Sequence, residues 1–209
     1  TIAVTDTSAN IATYLDGLQN QVTHLGSITQ SGTIAALNLT GAQYLRDQGA
    51  LAKITGTYTE KITGLVASSA GAAKADTHVT SFTVSDTGTN LSASFDVLNG
   101  IGTKLTSIQQ TDNVLITLTY AQFSGDTSAI SKLTGTYSFG VTDVAVANAL
   151  TVAANTHVST ITLLANSSLT ETQYNALSTK LVNTDLTVTE VVLADAGKIA
   201  TDTHVAHLT

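Results

Sequence analysis

Short runs of β-branched and aliphatic residues alternate along the chain with segments rich in Ala and Leu. Within the runs, apolar and hydroxyl side chains alternate, as in Ile116-Thr117-Leu118-Thr119. This period of two is typical of strands with one buried face. The pattern predicts eight strands, near Ile2–Thr5, Ile34–Leu39, Tyr58–Leu65, Ser81–Val84, Leu115–Leu118, Tyr137–Val141, Thr160–Leu163 and Leu186–Val192.

The segments between these strands have the apolar spacing of helices. Ile11, Leu15 and Leu18 fall on one helical face, as do Leu91, Phe95 and Leu98. The pattern predicts helices at about 8–20, 41–53, 67–76, 88–99, 120–132, 144–154, 170–181 and 193–201. Side chains that cap helix N-termini precede most of them, namely Asp6-Thr7, Thr40, Ser68-Ser69, Asp86-Thr87, Thr119, Asp143 and Thr170.

Residues 37–65 recur at 116–144, an offset of 79 positions, so the chain contains a long internal repeat. The motif Leu-Thr-x-x-Gln-aromatic begins at Leu39, Leu118 and Leu169, and the third copy follows the second by only 51 residues. Loss of a whole unit is tolerated when each unit packs chiefly on its neighbours. We therefore expect one repeat domain over residues 1–209, excised from a longer array because neither end looks capped by polar sequence.

The fold class follows from these elements. Strands joined through helices are usually parallel neighbours with right-handed crossovers. One side of each predicted strand is aliphatic and the other is rich in Thr and Ser, which disfavours a sheet covered by helices on both faces. The sequence predicts an α/β right-handed solenoid of about eight strand–helix units, with one parallel sheet, helices on one side and a Thr/Ser-rich face on the other.

Composition narrows the function classes. The net charge is −7 with only 8 Lys and Arg residues, which argues against nucleic acid and anionic membranes as partners. There is no Cys, which excludes disulfides and thiolate metal sites. No apolar run reaches the length of a bilayer span, so no membrane insertion is expected. The absence of both Cys and Met favours an extracellular bacterial protein over a cytosolic enzyme.

The His and acidic residues that are candidates for a functional site recur at equivalent positions of the repeat. His78, His157 and His204 share a Thr-His-Val context, and a role at the ends of the units is favoured over metal binding because repeated positions lie units apart. Acidic residues recur one per unit as caps, with weak surface calcium as the alternative. No Gly-x-Ser-x-Gly elbow or complete dinucleotide motif occurs. We therefore predict no catalytic, cofactor-binding or metal-ligating residue and no enzymatic activity.

Three motifs together carry a resemblance: V-[TS]-D-T-x-x-N-[IL]-x(4)-D-x-L, then L-T-x-x-Q-[YF], then [DN]-T-H-V-[TS]. They resemble Thr-rich repeats of very large secreted proteins of alphaproteobacteria, the haemolysin-like, calcium-binding type I secretion substrates. The resemblance covers nearly the whole chain and implies a surface layer, adhesin or filament. The calcium-binding nonapeptide GGxGxDxxx of such proteins does not occur, so the resemblance does not extend to a calcium β-roll.

Outward-facing Thr residues are the candidate interaction face. A regular array of hydroxyl and methyl groups suits binding to another regular surface, although Thr also simply favours strands. The leading hypothesis is a non-enzymatic structural or adhesive repeat protein that self-associates head to tail. The alternative is a module whose Thr face binds a polysaccharide or ice. The residues predicted for this face are Thr5, Thr83, Thr117, Thr162, Thr187 and Thr189.

Overall fold

The computed structural model describes residues 1–209 and contains fourteen strands and eleven α-helices. The strands are β1 (Ile2–Asp6), β2 (Leu25–Gln30), β3 (Leu37–Thr40), β4 (Ile54–Thr55), β5 (Glu60–Leu65), β6 (Val79–Asp86), β7 (Leu105–Gln110), β8 (Ile116–Thr119), β9 (Leu133–Thr134), β10 (Phe139–Val144), β11 (Val158–Leu163), β12 (Ser168–Thr170), β13 (Leu186–Thr189) and β14 (Val205–Leu208). The helices are α1 (Ser8–Thr13), α2 (Leu15–Asn20), α3 (Gly41–Arg46), α4 (Gln48–Leu51), α5 (Ala70–Ala75), α6 (Gly88–Asn99), α7 (Tyr120–Gly125), α8 (Thr127–Ile130), α9 (Val146–Ala153), α10 (Glu171–Leu177) and α11 (Leu193–Ile199). None of these helices is both long enough and apolar enough to cross a bilayer.

The strands form four separate sheets, and every strand pair is parallel. The sheet orders are β1-β2-β4, β3-β5-β6-β7-β9, β8-β10-β11 and β12-β13-β14. The predicted solenoid of about eight units on one continuous parallel sheet is therefore wrong. The chain is α/β, but β2 and β3 follow each other in sequence and belong to different sheets, as do β7 and β8.

The prediction of one continuous sheet was wrong in part because six strands lack a clear alternation of apolar and polar residues. All eight predicted strands are present, but β2, β4, β7, β9, β12 and β14 were missed. In β2 the pairing with β1 moves from Ile2↔Leu25 to Ala3↔Ser27, so Gly26 is an extra residue that breaks the alternation. The two residues of β4 and of β9 are too few to show any period.

The helix starts follow the predicted caps at most positions. The side chains of Thr7, Thr40, Thr87, Thr119 and Thr170 each accept a hydrogen bond from the backbone N–H three residues later. At Thr40, Thr119 and Thr170, which precede α3, α7 and α10, a Gln side chain completes a capping box. The prediction at Asp143 is wrong, because α9 begins after Ala145 and Asp143 has a positive φ of 57°.

The buried apolar residues form two clusters. The smaller cluster has nine residues from the first part of the chain, including Ile11, Leu15 and Leu37. The larger cluster has 34 residues and runs from Tyr44 to Ile199. The predicted helix face is confirmed on α6, where Leu91, Phe95 and Leu98 are buried. In the first repeat Ile11 and Leu15 are buried but Leu18 is half-buried, and the single helix predicted at 8–20 is divided into α1 and α2.

The internal repeat is visible in the contacts. We call residues 1–80 the first repeat and residues 81–159 the second repeat. Tyr58 stacks on His78 with ring centroids 4.1 Å apart, and Tyr137 stacks on His157 at 4.0 Å, with 10° between the planes in both pairs. Residues related by the offset of about 79 positions thus have similar neighbours. Where equivalent residues differ, the two repeats differ in local chemistry.

Candidate functional site

The six Thr residues of the predicted interaction face are distributed over all four sheets. One lies on β1, one on β6, two on β8 and β11 of the third sheet, and two on β13. Thr5 and Thr117 are exposed, whereas Thr83, Thr162, Thr187 and Thr189 are half-buried. These side chains do not share one sheet, so the continuous ladder expected from the sequence is not formed.

A shorter row of exposed Thr residues does exist on the first sheet. Thr5 on β1 pairs with Thr29 on β2, which pairs with Thr55 on β4, and all three are exposed. The Oγ1 atoms of Thr29 and Thr55 are 3.0 Å apart. We call these residues the Thr row. Thr29 and Thr55 escaped the sequence analysis because their strands did, although each of the three Thr residues follows a Val or Ile.

The recurring histidines are placed by the residue two positions before each of them. The backbone N–H groups of His78 and His204 donate to the carboxylates of Asp76 and Asp202 at 2.9 Å, and that of His157 donates to the Asn155 side chain at the same distance. The structure contains no group of three or more His, Asp and Glu residues able to hold a metal ion.

One polar cluster of the first repeat is partly buried, and we call it the Glu60 cluster. It comprises Tyr44 on α3, Tyr58, Glu60 at the start of β5, Asp76 after α5 and His78. The Tyr44 hydroxyl donates to Asp76 Oδ2 at 3.2 Å, and His78 Nδ1 lies 3.3 Å from Asp76 Oδ1. His78 was a candidate from the sequence, whereas Glu60 was missed, although it lies two positions before Ile62 in the predicted strand and so shares its inner face.

Glu60 is the unusual member of this cluster. Only 1% of its surface is exposed, and its Oε2 atom accepts no hydrogen bond. Burial, followed by the negative charge of Asp76, raises the pKa of Glu60 to about 7. Burial, followed by the charges of Glu60 and Asp76, also raises the pKa of Tyr58 to about 12. Glu60 therefore exchanges its proton close to neutral pH, within the protein interior.

Glu60 lies at the boundary between the two apolar clusters. In the sheet, Glu60 lies between Leu37 on β3 and Val79 on β6, which belong to the two different apolar clusters. The equivalent residue of the second repeat is Phe139, which lies between Ile116 and Val158 of a single cluster. A carboxyl group thus lies at the boundary between the two clusters, at the position where the second repeat has an aromatic ring within a single cluster.

Two other members of the Glu60 cluster are also replaced by residues without an ionisable side chain in the second repeat. Tyr44 and Asp76 are replaced by Phe123 and Asn155 in the second repeat, whereas the stacked Tyr and His are kept. Of the two repeats, only the first thus has a buried carboxyl group at the position of Glu60. No family model, curated protein or solved structure shows detectable similarity to the chain, so its function is argued from its own residues.

Proposed function

We propose that the chain is a non-enzymatic structural or adhesive repeat segment of an extracellular bacterial surface protein, in which copies associate head to tail into a stiff rod, filament or layer. The observation that carries this proposal is the equivalence of contacts between the two repeats. Side chains that recur, such as the capping Thr residues and the Tyr–His stacks, are used to hold helices and turns in place. Repeated use of the same stabilising contacts is typical of a repeat protein with a structural role.

The edges of the sheets support self-association. The strands β1 and β14 each pair with a single strand of the chain, so their outer edges carry backbone groups available to a further strand. The side chain of Ile2 on β1 is 60% exposed, which adds apolar surface at that edge. Because all sheets are parallel, a second copy that docks in the same direction extends the existing hydrogen-bond pattern. The resemblance to Thr-rich repeats of secreted surface proteins agrees with this proposal.

Sedimentation and negative-stain electron microscopy over micromolar to millimolar concentrations test the proposal. We expect particles longer than one chain, in amounts that grow with concentration. A Lys on an edge strand opposes such pairing, so Ala206→Lys on β14 should abolish the long particles. Ala9→Lys on the exposed face of α1 is the matched control and should leave them unchanged. Monomers at every concentration, or equal effects of both variants, contradict the proposal.

The Thr row supports an alternative function, the binding of a polysaccharide or ice. Its three exposed side chains stand on adjacent strands, which places their hydroxyl and methyl groups about 4.8 Å apart along the row. Glycan retention and inhibition of ice growth by the monomer are the tests. Thr29→Lys in the middle of the row should abolish the activity, and Thr57→Lys in a neighbouring exposed loop should not. An activity that survives Thr29→Lys rules out this row.

A further inference from the structure

Two carboxylates face each other in the second repeat without a cationic partner. Asp96 lies on α6 and Asp126 directly follows α7. Gln122 Nε2 donates to Asp96 Oδ1 at 2.7 Å, and Asn99 Nδ2 donates to Asp126 Oδ1 at 3.0 Å. The remaining oxygen of Asp126, Oδ2, is buried and accepts no hydrogen bond. None of the ion pairs in the protein includes either residue.

In the first repeat the equivalent carboxylates hold a guanidinium group between them. Asp16 and Asp47 are equivalent to Asp96 and Asp126, and Arg46 contacts both. The Arg46 Nη2 atom is paired with Asp16 Oδ1, and Arg46 Nε donates to Asp47 Oδ1 at 2.8 Å. The Asp47 side chain is fully buried, and this ion pair compensates for its burial.

Two features of the surrounding framework occur in both repeats. The backbone N–H of Ala50 donates to Gln19 Oε1 at 2.8 Å, and that of Ala129 donates to Asn99 Oδ1 at 3.2 Å. The capping boxes that begin α3 and α7 are also the same. The change lies at the last residue of the helix, where Gly125 replaces Arg46 and supplies no side chain.

Within the two carboxylate pairs, the pKa values of Asp126 and Asp16 shift in opposite directions. Burial, followed by the neighbouring carboxyl group of Asp96, raises the pKa of Asp126. In the first repeat, hydrogen bonding by Arg46, followed by that from Asp47, lowers the pKa of Asp16. The Gln side chain has also changed partner, since Gln43 Nε2 donates to the Ala12 carbonyl whereas Gln122 donates to Asp96.

We propose that Asp96 and Asp126, with Gln122 beside them, bind the guanidinium group of an arginine from another polypeptide. They line an open depression together with Thr119 and Ala121, so a side chain can enter from solvent. A planar guanidinium offers donors to both carboxylates at once, as Arg46 does in the first repeat. Arg46 is the only Arg of the chain and is already paired, so the partner is not a second copy of this chain.

Nuclear magnetic resonance of the full chain tests this site with N-acetyl-arginine amide as the probe. We expect the side-chain amide signals of Gln122 and Asn99 to shift with the arginine compound and to stay in place with N-acetyl-citrulline amide, which lacks the charge. Equal shifts with both compounds overturn the proposal. So does displacement of the arginine compound by calcium with the same signals affected, because the site is then a metal site.

Gly125→Arg supplies the missing guanidinium from within the chain. A Cβ at Gly125 meets no atom within 4 Å, so the position accepts a side chain. The variant should reduce binding of the arginine compound at least tenfold and raise the melting temperature by about 2–4 °C. Gly125→Ala is the matched control and should retain binding. Undiminished binding by Gly125→Arg, or equal loss in Gly125→Ala, overturns the assignment.

Discussion

Replacing Glu60 by Leu tests whether a buried carboxyl makes the stability of the first repeat depend on pH. Leu186 occupies the equivalent position on β13, and Phe139 occupies it on β10, so the position accepts apolar side chains elsewhere in the chain. In the first repeat, only 1% of Glu60 is exposed and one carboxyl oxygen has no donor. Ionisation of Glu60 therefore places an uncompensated charge in the core.

The direction of the effect follows from the raised pKa. The folded state binds the Glu60 proton more tightly than the unfolded state does, because the pKa is about 7 when folded and 4.5 ordinarily. The stabilising contribution is fully present below pH 4.5 and is lost as the pH rises through 7. One pKa unit corresponds to about 1.4 kcal/mol, so the free energy of unfolding should fall by about 3 kcal/mol across this range.

Urea unfolding at a series of pH values from below 4.5 to above 7 measures this fall. We expect the fall in the wild type and its absence in Glu60→Leu, which should be the more stable of the two at neutral pH. Glu190→Gln removes an exposed carboxylate and is the control for the change in net charge. The reasoning is refuted if wild type and Glu60→Leu have parallel pH profiles.

Two further substitutions test the local geometry and the electrostatics. Gly88→Ala at the start of α6 should lower the free energy of unfolding by about 3 kcal/mol, because its Cβ would overlap the carbonyl oxygen of Val114; urea unfolding measures this. Asp76→Asn should move the pH midpoint of the Glu60 transition below 7, because the charge of Asp76 is the second cause of the raised pKa after burial; the same pH series measures this.

Gly88→Ala has a matched control, and the second repeat already contains the residue that Asp76→Asn introduces. Gly17→Ala on α2 introduces a methyl group that meets nothing within 4 Å, and it should raise stability by about 0.5–1 kcal/mol. A neutral or stabilising Gly88→Ala would show that the close approach to Val114 is relieved at little cost. For Asp76→Asn, the equivalent Asn155 keeps the hydrogen bond from the following His, so the turn should persist. An unchanged midpoint would assign the raised pKa of Glu60 to burial alone.

Much of the local structure is readable from the residues alone. Alternation located eight of the fourteen strands, and Thr before an Ala- and Leu-rich segment located the starts of α1, α3, α6, α7 and α10. These features depend on side chains within three or four positions of one another, and such short-range interactions are encoded directly in the order of residues. The parallel pairing of strands also follows from the connecting helices.

The sheet arrangement and the candidate sites depended on contacts between distant residues. Alternation shows that a strand has an inner face, but it does not select the neighbouring strand, so the passage of β2 and β3 into different sheets was not foreseen. For the same reason the Thr row, the burial of Glu60 beside Asp76, and the two carboxylates near Gly125 became visible only in three dimensions.

The sequence by itself located eight of the fourteen strands, the starts of five of the eleven helices, and a repeat of about 79 residues. The tertiary structure alone decided which strands adjoin, because pairing brings together residues about 20–30 positions apart along a path set by loops. It also decided what each substitution between the repeats means. An acid in place of Phe, or Gly in place of Arg, changes the chemistry only through neighbours that folding brings close.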